Sequence, residues 1–555
     1  MKPCEIAQRR SGRSRASAVL AAFLLFLLST SGARPQEKAP EARQSPDIPL
    51  GPVERAEKEG TAYRVSLRDL TKLALQNNLD IAISDTNEEL YQKRILQAYG
   101  PYDPALSVTL GAQSTIRPNT NLTNRSTQGR SNSMTLDTWN FTFSQNLPTG
   151  GGVQAILNSS RNDTNQQFAL FSPQYNASTQ IQFTQPLLRN RRIDQTRGTI
   201  RLANLDLKIS DTQFKQTVVN TIGAMEGVYW DLVNALRDYE IKRQSVELAR
   251  LAVENNRDKV RIGVLAPIEI TVAQADMANR VVDLISSQQA INVAENNLRS
   301  MISNDRNAEI WKKFIIPTDT PEFAEYKVEL DQAIDTAMRN RPELQQLSFQ
   351  MQQNDINYSM SSNLKKWEIN FIGSFGTAGV AGPQTVVDGV PIIDPALVGS
   401  IGTAYKSLFT EGFRSWYAGF NLQIPLRNRS LEGQLGQLQV QRRQLQMNTK
   451  SAEQKIVVQI RNAFDELQTN KQRVETAKVA RELAQAQLDG ETKRFQAGMS
   501  QNFLVLQRQR DLSAAQGTEL LALIAYKKSV IALQQAMYTL IEEADFAIAG
   551  PPKVK

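Results

Sequence analysis

Histidine is absent from the 555 residues, and the only cysteine is Cys4. The first absence removes His-based metal sites and the Ser-His and Cys-His nucleophilic pairs. Cys4 lies ahead of an N-terminal apolar run, so processing would remove it and leave no disulfide or thiolate chemistry. Its position also rules it out as a lipidated residue placed after a cleavage site. Catalysis would be left to carboxylates and lysines, yet Asp103, Asp137 and Asp163 fall in separate strand or loop contexts and form no glycosidase-type pair. Aromatics make up only 7% of the chain. Beyond the N-terminal segment no apolar run reaches membrane-helix length, so any bilayer crossing must be made by strands that close on one another. We expect no enzyme, no cofactor and no metal.

What is present begins with an export signal. Arg9, Arg10, Arg13 and Arg15 precede the apolar run Ala18 to Leu28, and Ser31-Gly32-Ala33 offers a small-residue cleavage site. The run, about 11 residues, is too short to span a bilayer, which needs roughly 20. Residues 1–33 are therefore expected to be a signal peptide. Residues 34–60, rich in Pro, Glu, Lys and Arg, read as a flexible leader. The formal charge is +8, and Lys2 with the four arginines against Glu5 supplies half of it. The remaining excess is too diffuse to argue for nucleic acid.

Period-two alternation marks the strands. It places Leu106, Val108 and Leu110 on one face, then Trp139, Phe141 and Phe143 opposite Thr138, Asn140 and Thr142. It recurs at Ile181 and Phe183, at Trp367, Ile369, Phe371 and Phe375, and at Trp416, Ala418, Phe420, Leu422 and Ile424. Apolar residues outward and polar residues inward is the pattern of a membrane barrel; a soluble β-sandwich alternates in the same way and stays open at this point. Segments 117–135, 160–177 and 377–412 read as long loops, and Pro148-Thr149-Gly150-Gly151-Gly152 as a tight turn.

Proline is missing between Pro186 and Pro267 and between Pro425 and Pro551, where Ala, Leu, Gln, Glu, Lys and Arg dominate. Both stretches predict helix. A helix over 194–262 would extend about 100 Å, more than a globular core covers, so it must pack along its length. Val246, Ala249, Val253, Asn256 and Val260 step by three and four, as do Ala484, Leu488, Glu491 and Phe495, giving a coiled-coil seam.

The two halves correspond. The segment from Val65 to Asn77 matches that from Val328 to Asn340, Pro186-Leu187 matches Pro425-Leu426, and Ala249, Val253, Val260 and Gly263 match Ala484, Leu488, Phe495 and Gly498. The first repeat is set at 61–315, with strands over about 104–188 and a helical hairpin over about 194–303 whose tip is 263. The second is set at 316–550, with strands over about 367–426 and a hairpin over about 428–545 whose tip is 498. Residues 137–159 form a hairpin with no counterpart in the second repeat. Four to six strands per chain cannot close a barrel, since the smallest have about eight, so the chain must oligomerise.

These residues resemble the TolC-like outer-membrane efflux proteins over about 63–545. The motifs are Leu73-Ala74-Leu75-Gln76-Asn77-Asn78, its copy from Ala337 to Leu344, Tyr229-Trp230-Asp231, and the tips Arg261-Ile262-Gly263-Val264-Leu265 and Arg494-Phe495-Gln496-Ala497-Gly498. The resemblance implies an α+β membrane protein: a transmembrane β-barrel shared by a homotrimer, usually of 12 strands, continued as a periplasmic α-helical coiled-coil barrel. It further implies outer-membrane lipid around the barrel, a periplasmic adaptor (membrane fusion protein) on the hairpin tips, and an inner-membrane pump. The function expected is the passive exit duct of a tripartite efflux or type I secretion system; the alternative is a periplasmic adaptor or structural coiled-coil protein. By the same resemblance Arg261, Gly263, Leu265, Arg494, Gly498 and Met499 are adaptor-contact candidates, although the glycines would be needed to turn the chain in any case. Glu269, Leu504, Gln507, Arg508 and Arg510 are aperture candidates. Phe495 and Ser500 replace the tyrosine and arginine that usually complete the aperture latch, and Arg508 and Arg510 point to weak cation preference. The sequence leaves open whether the 137–159 hairpin enters the barrel, giving 18 strands, or projects from its rim.

Overall fold

The computed structural model describes residues 51–119, 131–387 and 390–543. The expected signal peptide and the leader as far as residue 50 lie outside them. In chain order the main elements are α1 (Pro52–Glu59), β1 (Ala62–Val65), α2 (Leu67–Asn77), α3 (Leu79–Tyr99), β2 (Ala105–Pro118), β3 (Ser131–Asn146), β4 (Gly152–Thr164), β5 (Gln174–Pro186), α4 (Gln195–Arg261), α5 (Ile268–Ile302) and β6 (Phe314–Pro317). There follow α6 (Leu330–Asn340), α7 (Pro342–Leu364), β7 (Glu368–Ala381), β8 (Val386–Val387), β9 (Val390–Pro391), α8 (Ile401–Thr410), β10 (Arg414–Gln423), α9 (Arg429–Gln496), α10 (Asn502–Met537) and α11 (Leu540–Glu543).

Side-chain caps set the helix starts. Asn78 Oδ1 accepts from Asp80 N–H (2.9 Å) at the head of α3, Asp194 from Arg197 N–H (2.7 Å) at α4, and Asn428 from Leu431 N–H (3.1 Å) at α9. Each supplies an acceptor that the first turn of a helix lacks. The 67 residues of α4 and 68 of α9 then run about 100 Å without a proline to break them. Val246, Ala249, Val253 and Asn256 are buried in the seam between α4 and α5, where Ala249 and Val253 meet Ala273 and Met277. A second core joins α6, α9 and α10 through Ala333, Ile460, Leu467, Tyr526 and Leu533. Each large side chain sealed there contributes about 1.5–3 kcal/mol.

Residues 51–60 do not behave as a flexible leader. Pro52–Glu59 is helical, and Glu54 pairs with Arg243 of α4 at 3.0 Å. A small parallel sheet, β1 against β6, was also not anticipated. It lies beside Asp319, whose carboxylate accepts from Leu67 N–H (2.8 Å) and from the buried Tyr229 hydroxyl (2.5 Å). Burial, then this hydrogen bond, pushes the Tyr229 hydroxyl above its ordinary pKa.

Six of the remaining strands form one antiparallel sheet in the order β10-β7-β5-β4-β3-β2, while β8 and β9 pair only with each other among the described residues. The β3–β4 hairpin is thus a continuous part of the sheet and not a projection from its rim. Its tight connection, Leu147 to Gly151, lies at the helical end: Asn146 Nδ2 donates to Pro101 O (2.9 Å), next to the exit of α3. The opposite end carries the longer connections. These are shorter than the sequence pattern suggested, because β2, β4, β5 and β7 run on into segments read as loops. The stretch read as a loop over 377–412 also holds, among its described residues, β8, β9 and α8.

Candidate functional site

Register fixes the two faces of the sheet. Leu106, Phe143, Ala155, Ile181, Phe375 and Trp416 form one row across all six strands. With Val108, Leu110, Phe420 and Leu422 they make an apolar face whose large side chains are exposed. The other face carries Thr138, Asn140, Asn158, Asn176 and Ser178, which line a concavity of about 700 Å³. Among the described residues the outermost strands β2 and β10 have no neighbour on their far sides. Unpaired strand edges and a broad exposed apolar face are both costly in water, so this wall is built to be completed by something else.

At the far end of the helices two tips repeat one geometry. Gly263 takes φ +79° and Gly498 φ +75°. In the first, Gly263 N–H donates to Val260 O and Val264 N–H to Lys259 O; in the second, Gly498 N–H donates to Phe495 O and Met499 N–H to Arg494 O. These bonds satisfy carbonyls that the helix ends leave free, and they require the left-handed residue that glycine adopts at least cost. A Cβ at either glycine would meet nothing within 4 Å, so backbone conformation alone selects them. The two tips stand together, with the Lys259 ammonium 4.2 Å from the centre of the Phe495 ring.

Of the tip candidates, Arg261 pairs with Asp258 (3.1 Å) and Arg494 with Glu491 (3.8 Å), Met499 is exposed, and Leu265 is half-buried. Two exposed apolar residues were not singled out beforehand: Ile262, 68% exposed, and Val264, 72% exposed. Their signal was available, as apolar residues on both sides of a turn glycine.

The aperture candidates are brought together only in part. Arg510 Nε lies 3.5 Å from Asp276 Oδ1, joining the second hairpin to the first. Asp276 also pairs with the buried Arg280 (2.9 Å), which donates to Ser245 O (3.1 Å) and Ser245 Oγ (2.7 Å). Arg508 pairs with Asp511 (3.1 Å). Glu269 is half-buried in the first turn of α5 without an ion-pair partner among the described residues, while Leu504 and Gln507 are exposed on α10. Ser500 donates to Glu491 within its own tip and so completes no latch between hairpins. Asp276, which holds the cross-hairpin pair, was not among the candidates. Among the described residues no three potential metal ligands cluster, and no helix is long and apolar enough to cross a membrane.

The profile of the family described as outer membrane efflux protein matches residues 333–537. No curated protein matches the chain. Among solved structures, the chain is similar to the Campylobacter jejuni CmeC outer membrane channel, at 14% identity over 85% of each chain with a TM-score of 0.60. The outer membrane protein VceC of Vibrio cholerae matches at 13% identity over 85% of this chain and 95% of that one, TM-score 0.58. The open-state MtrE outer membrane channel of Neisseria gonorrhoeae matches at 14% identity over 85% of this chain and 88% of that one, TM-score 0.55. At these identities the structures establish a shared α+β fold.

Proposed function

We propose, from the premise that residues 333–537 are an outer membrane efflux protein domain of a family of channels and not of enzymes, that this chain forms the passive outer-membrane exit duct of a tripartite export system. The observation that carries the reading is the six-stranded wall, apolar on one face and polar on its concave face, joined at its tight-turn end to helices about 100 Å long. In a bilayer such a wall must lose its edges, because unpaired backbone groups have no water to bond. With six alternating strands β2 and β10 run in opposite directions, so β10 of one copy can pair antiparallel with β2 of the next. Three copies of six strands then close a barrel of 18, wider than the 12 usual for the resemblance drawn from sequence.

The duplicated order of elements, a short helix pair, strands and a long hairpin, gives each copy two hairpins, and a trimer six, to line a periplasmic tube. Exposed apolar side chains along α5 and α9, including Val282, Ile285, Met447 and Leu483, are the faces that neighbouring copies would cover. The tips, with Arg261, Ile262, Gly263, Val264, Leu265, Arg494, Gly498 and Met499, are the docking ground for a periplasmic adaptor, which in turn engages an inner-membrane pump. Glu269, Leu504, Gln507, Arg508 and Arg510 line the narrow end.

Membrane fractionation followed by mass photometry in detergent tests the reading. A trimer in the outer-membrane fraction is expected; a stable monomer in the periplasmic fraction, the behaviour of an adaptor or soluble coiled-coil protein, refutes it.

A further inference from the structure

α8 has no task in a bare duct. It crosses the sheet with the Ala404 carbonyl so close to Gly379 that a Cβ on the glycine would come within 2.1 Å. Ser407 Oγ accepts from Val380 N–H (3.1 Å), and Tyr405 Oη accepts from Trp139 Nε1 (2.9 Å) and bonds Ser159 Oγ (2.8 Å). Trp139, Ser159, Ala177 and Gly379 occupy one register row on the face that carries the exposed apolar side chains. α8 therefore rests on the apolar side of the wall and not over the polar concavity.

Its height on that side is informative. One row further from the tight turn, the same face carries the Asp137–Arg161 ion pair (3.3 Å), so charge ends the apolar surface there. Toward the turn, on the strands that α8 covers, lie Ile181 and Phe375. The helix sits between the two, at the level where hydrocarbon would give way to headgroups.

The surface it turns outward has a definite chemistry. Phe409 is 78% exposed, with Lys406 one turn before it on the same helix face. β10, which follows, starts with Arg414 and Trp416 on the apolar side, and Trp416 is 79% exposed. Neither Lys406 nor Arg414 has an ion-pair partner among the described residues; the nearby Glu411 takes a hydrogen bond from Thr410 (3.1 Å). Exposed aromatic rings beside unpaired cations, at the boundary of an apolar band, suit a lipid surface with anionic headgroups. The geometry points to α8 as an interfacial helix on the outside of the duct, with Phe409 entering outer-leaflet lipid and Lys406 and Arg414 on a phosphate-bearing headgroup. The inference rests on the outer-membrane reading given above.

Nitroxide labels at three positions separate the two ideas. Phe409→Cys, Leu422→Cys and Val390→Cys, each made in a Cys4→Ser background, are labelled and reconstituted in phosphatidylcholine vesicles containing phosphatidylglycerol. Oxygen and nickel-chelate accessibilities then report depth. The expected order is Leu422 in hydrocarbon, Phe409 at the headgroup boundary and Val390 in water. A label at 409 as wet as that at 390, with 422 in lipid, overturns the α8 assignment and leaves the duct standing; a wet label at 422 overturns the duct itself. Native mass spectrometry of the K406Q/R414Q variant tests the headgroup. Each basic residue beside an anionic surface is worth about fivefold in affinity, so retention of phosphatidylglycerol over phosphatidylcholine should drop roughly 25-fold. Unchanged retention would refute the assignment of these two side chains.

Discussion

On the proposed docking of an adaptor at the hairpin tips, replacing their exposed apolar residues together, Ile262→Ser, Val264→Ser and Met499→Ser, should release that adaptor while leaving the fold intact. The three side chains are 68%, 72% and 75% exposed. Complete burial of an aliphatic side chain of this size contributes about 1.5–3 kcal/mol, so covering the exposed share of all three supplies about 4 kcal/mol. Losing it weakens the complex roughly a thousandfold. The same substitutions touch no buried contact, and surface changes of this kind alter stability within about 0.5 kcal/mol. The adaptor captured by the wild-type chain from envelope extracts serves as the binding partner, measured by interferometry against detergent-purified wild type and variant. A variant that melts with the wild type and still binds within about threefold of it would refute the placement of the docking surface at these tips.

Four further outcomes follow from the geometry. Asp276→Ala leaves the buried Arg280 without its carboxylate and removes the partner of Arg510; thermal melting should show a loss of about 3–5 kcal/mol, and a loss under about 1 kcal/mol would contradict the pairing as drawn. Gly379→Val drives a side chain into the Ala404 carbonyl, so α8 should lift from the wall and limited proteolysis should newly cut within 382–413. Burial raises the Glu295 carboxyl above its ordinary value of 4.5, against the opposing pull of Ile315 N–H and Arg299; the native state therefore holds that proton to higher pH than the unfolded chain, stability declines as pH rises from near 4.5, and Glu295→Gln should flatten the decline in pH-dependent melts. On the proposed placement of Arg508 and Arg510 at the aperture, where each is only partly offset by an aspartate, planar-bilayer recordings should show weak ion selectivity, and strong cation preference would count against the assignment.

Features set by neighbours along the chain were legible beforehand. The helices follow from proline-free, alanine- and leucine-rich stretches with seam residues three and four apart, and Val246, Ala249, Val253 and Asn256 are indeed buried. The tips follow from glycine, which alone adopts positive φ cheaply, and both tip glycines do so. Strand faces follow from period-two alternation, and the rows from Leu106 to Trp416 line up as that alternation requires. Local rules did less well where polar composition was read as loop: α8 was missed because Gly402, Thr403 and Ser407 look like loop residues until Gly379 makes room for the helix backbone.

The sequence by itself therefore determined the long helices, the alternating strands, where the hairpins turn, and that histidine chemistry is excluded. Tertiary structure alone decided that β3 and β4 enter the sheet, that α8 lies on its apolar side, that Pro52–Glu59 docks on α4, and that Asp276 bridges the hairpins. The division is physical: periodicity and turn chemistry are fixed by residues a few positions apart, whereas these pairings join residues tens to hundreds of positions apart, whose meeting depends on the register and packing of everything between them.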